Sequence, residues 1–313
     1  MKYIARKAMA MLVTLFVISV LAFLAFEVLP GDPTTKMLGT DWTPERAAAL
    51  REELGLNAPT PERYLHWLGG FFGGDFGVSY SYGIPVGDLL QGKLPVTLCL
   101  SLIAFCMVVV ISIPVALFLA RREGSALDRV CSVINQIAMS IPPFFIGIIF
   151  TSIFGLALRL FVAGSFVSAE ESLSGFLAYL IFPALSIALP KSAMTVKLLR
   201  SSILNEMGED YVRTAYSRGN SRKTVLRRHV LRNSIIPVIT FLAVTIADIV
   251  AGSIIIEQVF NIPGLGRLLL LSISNRDFPV VLSIIMIIAT IVIFVNFLAD
   301  VAYQLVDPRI RLK

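Results

Sequence analysis

The sequence has 313 residues, of which 56% are hydrophobic and 15% are charged, with a mean hydropathy of +0.81. Soluble domains contain about 25% charged residues, so this composition excludes an ordinary soluble domain and indicates a protein whose solvent is the lipid bilayer. The formal net charge of +6 at pH 7 would also suit a nucleic-acid partner, but the placement of the basic residues explains it as a topology signal.

Six apolar stretches are long enough to cross a bilayer, since a helical crossing takes about 20 residues. They cover residues 8–26, 94–120, 130–158, 172–190, 233–256 and 278–299. The first resembles a signal peptide but has no small-residue cleavage site after it, so we expect a retained transmembrane helix. The third contains Pro142 and Pro143, where a kink is expected. Asp248 is the one charged residue inside a predicted span.

Six spans leave both termini on the same side of the membrane, and the distribution of basic residues between the loops indicates which side that is. Cytoplasmic loops carry the excess of Lys and Arg, and most of the 27 basic residues fall on the side that holds the termini. We therefore predict an all-α integral membrane protein with six transmembrane helices and cytoplasmic termini. We expect a multi-pass membrane protein, with lipid but no nucleic acid as a partner.

The predicted spans divide the chain into three parts. Residues 1–29 form the N-terminus and first helix, 30–93 an external cap, and 94–313 a five-helix core with a cytoplasmic loop at 191–232. In the cap, Thr43 followed by Pro44 is typical of a helix start and Gly55 of a helix end. A second short helix is expected at residues 62–68. The cap is therefore expected to be a small folded unit.

The cytoplasmic loop contains a short amphipathic helix that runs from Asp210 to a glycine end at Gly219. Val212, Ala215 and Tyr216 lie at the i, i+3 and i+4 spacing that puts them on one helix face. Such a helix lies on anionic lipid headgroups or docks into a groove of a protein partner. Because the apolar face is small, it would anchor poorly in lipid, which favours the protein partner.

Several motifs of this loop and its surroundings resemble one family. Arg213 to Gly219, then Arg228 to Asn233 and Pro237-Val238, resemble the cytoplasmic EAA signature of ABC importer permeases, in the version of the oligopeptide, dipeptide and nickel permease family. Arg213-Thr214-Ala215 stands where the general signature has Glu-Ala-Ala. Further motifs of the family occur in order along the chain: Pro30-Gly31-Asp32-Pro33, Gly74-Asp75-Phe76-Gly77, Glu257, Pro263-Gly264-Leu265-Gly266-Arg267, Asn275-Arg276-Asp277-Phe278-Pro279 and Asp307-Pro308-Arg309-Ile310-Arg311.

The resemblance implies one permease subunit of an ATP-driven importer in a bacterial or archaeal cell (inner) membrane. This subunit would form half of a path for di- or oligopeptides or, alternatively, for nickel or a metal chelate. It implies a second homologous permease, one or two ABC ATPase subunits that bind ATP and Mg, and an external substrate-binding protein. No cofactor is implied in this chain. The resemblance places the ATPase contact at Tyr211, Val212, Arg213, Thr214, Ala215, Tyr216, Arg218 and Gly219. External docking of the binding protein is expected at Asp75, Pro263, Gly264, Arg276 and Asp277.

Asp248 lies halfway along the fifth predicted span, where a charge costs roughly 2.5–3.5 kcal/mol on insertion scales. One interpretation is structural: a hydrogen bond to a neighbouring helix, or a protonated side chain. The other is that Asp248 lines a translocation path and attracts a cation, either a peptide's amino terminus or a divalent metal such as nickel. The candidate path residues are Asp248, Gly252, Ser253 and Asn296. Glu27 and Glu257 are expected to be ordinary interfacial charges.

Two other classes of function compete with an importer subunit. An enzyme is disfavoured because the sequence lacks the H-E-x-x-H motif of a metalloprotease and the P-loop of an ATPase, so ATP hydrolysis is expected in partner subunits. A stand-alone secondary transporter or channel is the more serious alternative. Transporters of that kind often show internal repeats, which this sequence lacks, and they have no need of a docking helix.

Overall fold

A computed structural model describes residues 2–28, 32–162 and 164–306, and most of these residues are helical. Within these residues, five helices are long and apolar enough to cross a membrane, and counting a bent pair of shorter helices as one span gives six. The predicted all-α fold with six spans is thus confirmed. The predicted division of the chain at residues 29 and 93 stays a prediction. Contacts between residues group the chain into two compact units, 1–97 with 263–294 and 98–262 with 295–313.

The first unit contains the N-terminal span, the external segment and two later helices. Its helices are α1 (Lys2–Val28), α2 (Pro33–Leu38), a 3₁₀ turn (Gly39–Asp41), α3 (Pro44–Glu53), α4 (Thr60–Gly73), α5 (Val86–Gln91), the start of α6 (Leu94–Arg121), α14 (Leu265–Asn275) and most of α15 (Phe278–Val306).

The second unit contains the remaining spans and the cytoplasmic loop. Its helices are the rest of α6, α7 (Ala126–Ser140), α8 (Pro143–Phe150) with a π-helical continuation (Thr151–Ala157), α9 (Leu173–Met207), α10 (Asp210–Ser217), α11 (Arg222–Thr224), a π-helix (Val225–Val230), α12 (Leu231–Ser234), α13 (Ile236–Val259) and the end of α15.

The cap contains one helix, α3, whose start and end its sequence specifies in detail. The Thr43 side chain accepts a hydrogen bond from the backbone N–H of Arg46 at the start of α3, Pro44 occupies the first turn, and Gly55 follows the helix with φ +64°. These are the predicted start and end of the helix, and they are confirmed. The second of the predicted cap helices, α4, is longer than predicted. Its aromatic residues Tyr64, Trp67 and Phe71 pack in series, and the helix ends only at Gly74, which has φ +82°.

The cap helix α4 packs against the outer half of α1. Arg63 on α4 donates to the Glu27 carboxylate at 3.0 Å, and the Tyr64 hydroxyl lies 2.8 Å from the Ser19 hydroxyl. The ring of Phe23, one helical turn from both α1 residues, lies 5.4 Å from the ring of Tyr64, centroid to centroid. Glu27 is therefore part of this packing through its ion pair with Arg63, which refines its predicted role as an ordinary interfacial charge.

The third span is broken at the proline pair, as predicted. The axes of α7 and α8 form an angle of 101°, and Ile141 and Pro142 between them have extended backbone. A proline disfavours helical geometry in the residue before it, and two in succession extend that restriction over the break. The sequence therefore encodes a sharp bend at this place.

The helix of the fourth span extends beyond Pro190, where the predicted apolar stretch ends. Helix α9 continues through Pro190 to Met207 and has a length of 35 residues. Beyond the proline, buried Ala193, Val196 and Leu199 follow at helical spacing, so packing on one face stabilises the helix despite the backbone hydrogen bond that a proline removes. As a result, Lys191 lies within the continuous helix of the fourth span and not in an irregular loop.

Candidate functional site

The loop helix α10 is held against the chain by the residues that were expected to face a partner. Val212 is 1% exposed and Ala215 is 6% exposed, and α10 packs on the π-helix at Val225–Val230, whose Val225 and Leu226 are also buried. Small residues allow this close approach between two helices. The prediction that Val212 and Ala215 enter a partner's groove is therefore wrong: these two side chains anchor the loop helix.

The outer face of α10 carries the other predicted contact residues. Arg213, Thr214, Tyr216, Ser217 and Arg218 are exposed along it. At its end, the backbone N–H of Gly219 donates to the Tyr216 carbonyl at 2.8 Å, and Gly219 has φ +80°, which L side chains rarely adopt. This face, which we call the outer face of α10, combines one aromatic ring with two guanidinium groups.

Tyr211 fixes the start of α10 to the end of α9. Its hydroxyl donates to Oε2 of Glu206 at 2.5 Å. Burial and the bond to the Glu206 carboxylate raise the pKa of Tyr211 to about 12. The phenol therefore remains a hydrogen-bond donor at physiological pH, so Tyr211 is an internal connector in addition to a candidate contact residue.

The predicted path residue Asp248 has a partner that the sequence did not suggest. Nζ of Lys191 on α9 lies 2.7 Å from Oδ2 of Asp248 on α13, and the Asp248 side chain is 55% exposed while that of Lys191 is 20% exposed. Predicting Lys191 in the cytoplasmic loop hid this pair. The only available signal was that the apolar periodicity of α9 continues beyond Pro190.

The other three path candidates occupy different positions. Gly252, one turn after Asp248, has open space where a side chain would be. Ser253 is fully buried and donates to the Val250 carbonyl of its own helix at 2.8 Å, so it does not face a path. Asn296 on α15 is half-buried. Glu257 is fully buried, so the prediction that it is an interfacial charge is wrong.

The external docking candidates divide in the same way between buried and exposed residues. Asp277 is fully buried, and its carboxylate accepts hydrogen bonds from the Ser79 hydroxyl at 2.5 Å and from the backbone N–H groups of Tyr80 and Ser81 at 3.0 and 3.1 Å. A residue buried in this way cannot present its side chain to a docking protein, so that part of the prediction is wrong. Burial raises the pKa of the Tyr80 phenol in the same turn, opposed by the nearby charge of Arg63.

The remaining candidates surround this buried carboxylate. Gly264 is buried at the start of α14 and Pro263 is half-buried. Asp75 and Arg276 are exposed, and Asp75 accepts a hydrogen bond from the backbone N–H of Gly77 at 2.9 Å. The exposed pair is therefore what a docking protein could contact. The flanking motifs Pro30-Gly31 and Asp307 to Arg311 lie outside the described residues.

Comparison with known proteins identifies the family. Residues 112–312 match the family described as the inner membrane component of binding-protein-dependent transport systems, and residues 1–101 match the N-terminal region of such membrane components. A solved chain from the MetNI methionine ABC transporter in an inward-facing conformation has the same fold, with a TM-score of 0.57 and 20% identity over 70% of this chain and 96% of that chain.

Three curated relatives match over nearly their full lengths. A probable peptide ABC transporter permease of Sinorhizobium fredii is 33% identical over 99% of both chains, and the oligopeptide permease AppB of Bacillus subtilis is 35% identical over 99% of both. The dipeptide permease DppB of Escherichia coli is 33% identical over 100% of this chain and 99% of its own. The chain thus belongs to the family of inner membrane components of binding-protein-dependent transport systems.

Proposed function

We propose that this chain is a permease subunit of an ATP-driven peptide importer and forms half of the translocation path. The observation that carries the proposal is the similarity over nearly the whole chain to peptide, oligopeptide and dipeptide permeases from three different bacteria. The nickel alternative is disfavoured, because these relatives are named for peptides. ATP and Mg bind in partner ATPase subunits, and this chain supplies the path.

The outer face of α10 is the proposed contact with an ATPase subunit. It is exposed, carries Tyr216, Arg213 and Arg218, and belongs to a helix too small to anchor in lipid. Tyrosine and arginine are enriched among the residues that contribute most to protein contacts. Val212 and Ala215 support it from behind, so a force on the outer face passes into the chain and not into a flexible loop.

Two connections carry that force from α10 to the membrane. Tyr211 links α10 to Glu206 at the end of α9, and α10 packs on the π-helix at Val225–Val230, which leads through α12 into α13. The helices α9 and α13 hold Lys191 and Asp248. When ATP closes the ATPase pair, we infer that α10 moves with it and that α9 and α13 follow, so that the path opens on alternate sides.

One face of α13 is the proposed wall of the path. Its exposed positions are Pro237, Val244, Asp248, Ala251, Ile255 and Gln258. Together with the half-exposed Phe241, they follow each other at alternating spacings of four and three residues. This spacing defines a single stripe along a helix. A charged residue on that stripe is unfavourable against lipid, so the stripe faces a second permease across a path containing water. The external end receives peptide from a binding protein that docks at Asp75 and Arg276.

Uptake by cells with and without this chain tests the proposal. Deletion of its gene should abolish ATP-dependent uptake of a radiolabelled dipeptide or oligopeptide and leave uptake of radiolabelled Ni²⁺ unchanged, and a plasmid copy should restore it. Loss of Ni²⁺ uptake with peptide uptake intact would contradict the peptide proposal and favour the nickel alternative.

A further inference from the structure

An ion pair connects α9 and the middle of α13. The two helices run antiparallel, and near their outer ends the Tyr179 hydroxyl donates to the Phe260 carbonyl at 2.6 Å. Lys191 and Asp248 each lie twelve residues further along from this contact, which corresponds to about 18 Å at 1.5 Å per residue. The two contacts therefore share one register, and Asp248 lies halfway along a 24-residue helix that is long enough to cross a hydrocarbon core of about 30 Å.

A second ion pair in the same unit, between Arg200 and Asp128, is enclosed by the chain and serves as a comparison. Arg200 donates from Nε and Nη2 to both carboxylate oxygens of Asp128, at 3.1 and 2.7 Å, and the backbone N–H of Gly124 donates to Oδ2 at 3.1 Å. The Asp128 side chain is 6% exposed. Its charge is thus enclosed, and both of its oxygens have donors inside the chain.

The pair at Asp248 lacks both of these properties. Only Oδ2 is bonded, to a single lysine donor, and in the part of the chain that the structure describes Oδ1 has no donor. The side chain is 55% exposed, and the next turn of α13 offers no obstruction, because Gly252 has no side chain and open space around it. The carboxylate therefore presents a free oxygen to the space along the α13 stripe.

We propose that the free oxygen of Asp248 binds the α-ammonium group of a peptide in transit, with Lys191 as its resting counter-ion. This inference rests on the proposed function and specifies a ligand subsite within it. An ammonium group has three N–H donors and makes charge-assisted hydrogen bonds with carboxylates. The amino terminus is the cationic group that peptides of any sequence share, so one carboxylate suits many peptides.

Lys191 keeps the affinity of this subsite for an ammonium group low enough for transport. A path must bind its cargo well enough to admit it and weakly enough to release it. An unpaired carboxylate in the membrane would hold a cation strongly, because charges attract more at low dielectric. Lys191 already neutralises much of that charge and competes for the carboxylate, so a passing ammonium displaces or shares the lysine contact and then leaves.

Exchanging the two residues separates this role from a structural one. In the exchanged variant, Asp248→Lys with Lys191→Asp, the ion pair persists but the carboxylate moves to the less exposed position. The complete transporter is reconstituted, and uptake of radiolabelled alanylalanine is measured beside the amount of folded complex. We expect normal folding with uptake reduced about tenfold, as in Asp248→Asn, for the loss of one charge-assisted contact worth roughly a factor of ten. Uptake restored to the wild-type rate by the exchange would overturn the proposal.

A thiol at the same position tests both water access and charge. Asp248→Cys is placed in a chain whose Cys99, Cys106 and Cys131 are changed to Ala, and is treated with an anionic sulfonate or a cationic trimethylammonium methanethiosulfonate reagent. We expect both reagents to react, and only the anionic one to recover uptake. Absence of reaction in every nucleotide state, or equal effects of the two reagents, would contradict the subsite.

The outcomes also separate this inference from the proposed function. If the wild-type transporter takes up no peptide, the proposed function fails and the peptide subsite fails with it. If the wild type transports peptide while Asp248→Asn and the exchanged variant transport it equally well, the proposed function stands and the subsite alone is contradicted.

Discussion

The guanidinium group of Arg200 on α9 donates two hydrogen bonds to the carboxylate of Asp128 on α7, at 3.1 and 2.7 Å. Asp128 also accepts a bond from the backbone N–H of Gly124, while its own N–H donates to the Ser125 hydroxyl at 3.1 Å. The turn that precedes α7 is thereby fastened to α9. Because α10 follows α9 directly, this pair stabilises the part of the chain that we propose transmits force.

Removing one partner of this pair should destabilise the chain strongly. Breaking a buried ion pair costs roughly 3–5 kcal/mol, because the remaining charge stays buried without compensation. We therefore expect Arg200→Met to lower the melting temperature of the purified complex and the amount in the membrane. Lys197→Met, an exposed position one turn earlier on the same helix, is the matched control. Equal melting temperatures of the two variants would contradict the assignment of Arg200 as a structural residue.

Substitutions on the two faces of α10 should have different effects. Tyr216→Asp changes the outer face, which is exposed, and should reduce ATPase binding and peptide uptake while the chain remains in the membrane in normal amounts. Val212→Asp places a charge at a 1% exposed position and should reduce the amount of folded chain itself, because burying an unpaired charge is unfavourable. Co-purification of the ATPase and immunoblots of membranes distinguish these results. Normal uptake by Tyr216→Asp combined with Gly219→Pro would contradict the docking role.

The hydrogen bond between Tyr211 and Glu206 predicts a particular pH dependence. The pKa of Tyr211 is raised to about 12 from an ordinary value of 10.0, so the fold favours the neutral phenol. Its stabilising effect is therefore complete below pH 10 and is lost as the pH rises through 12. Tyr211→Phe should lower the free energy of unfolding by about 1 kcal/mol, constant between about pH 6 and 9. A difference that grows above pH 10 would contradict this sign.

The buried carboxylate of Asp277 should hold the external turn at residues 79–82 in place. Asp277→Asn removes the charge that accepts three hydrogen bonds from Ser79, Tyr80 and Ser81 and should cost roughly 1.5–3 kcal/mol, the range for bonds to a charged group. Faster cleavage of the external segment by added protease in intact spheroplasts would report this loss. Asp75→Asn, an exposed carboxylate with one such bond, should change the cleavage rate little, and similar rates for both variants would argue against the assignment.

Local signals in the sequence predicted the elements whose causes are local. The Thr43-Pro44 start of α3 and the bend at Pro142-Pro143 depend on side chains within a few residues, and both are confirmed. The continuation of α9 beyond Pro190 was not predicted, because packing of buried Val196 and Leu199 outweighs the disfavoured proline. That omission concealed the partner of Asp248.

Contacts between distant residues could not be predicted from one sequence. Asp277 and Ser79 are 198 residues apart, and Lys191 and Asp248 are 57 apart, so neither pair leaves a periodic pattern. The amphipathic period of α10 was correct, but period alone does not say which face points toward the chain. Small residues such as Ala215 suit close packing against this chain or against a partner protein. Which of the two they contact depends on where the surrounding helices lie.

Transport by defined components tests the central claim most directly. The purified chain is placed in liposomes alone or with its companion permease, ATPase subunits and binding protein, and movement of radiolabelled alanylalanine is measured with ATP and Mg on the ATPase side. We expect accumulation only in the complete complex, and only when the ATP can be hydrolysed. Peptide movement by the chain alone, at the same rate and without ATP, would contradict it and identify a self-contained transporter.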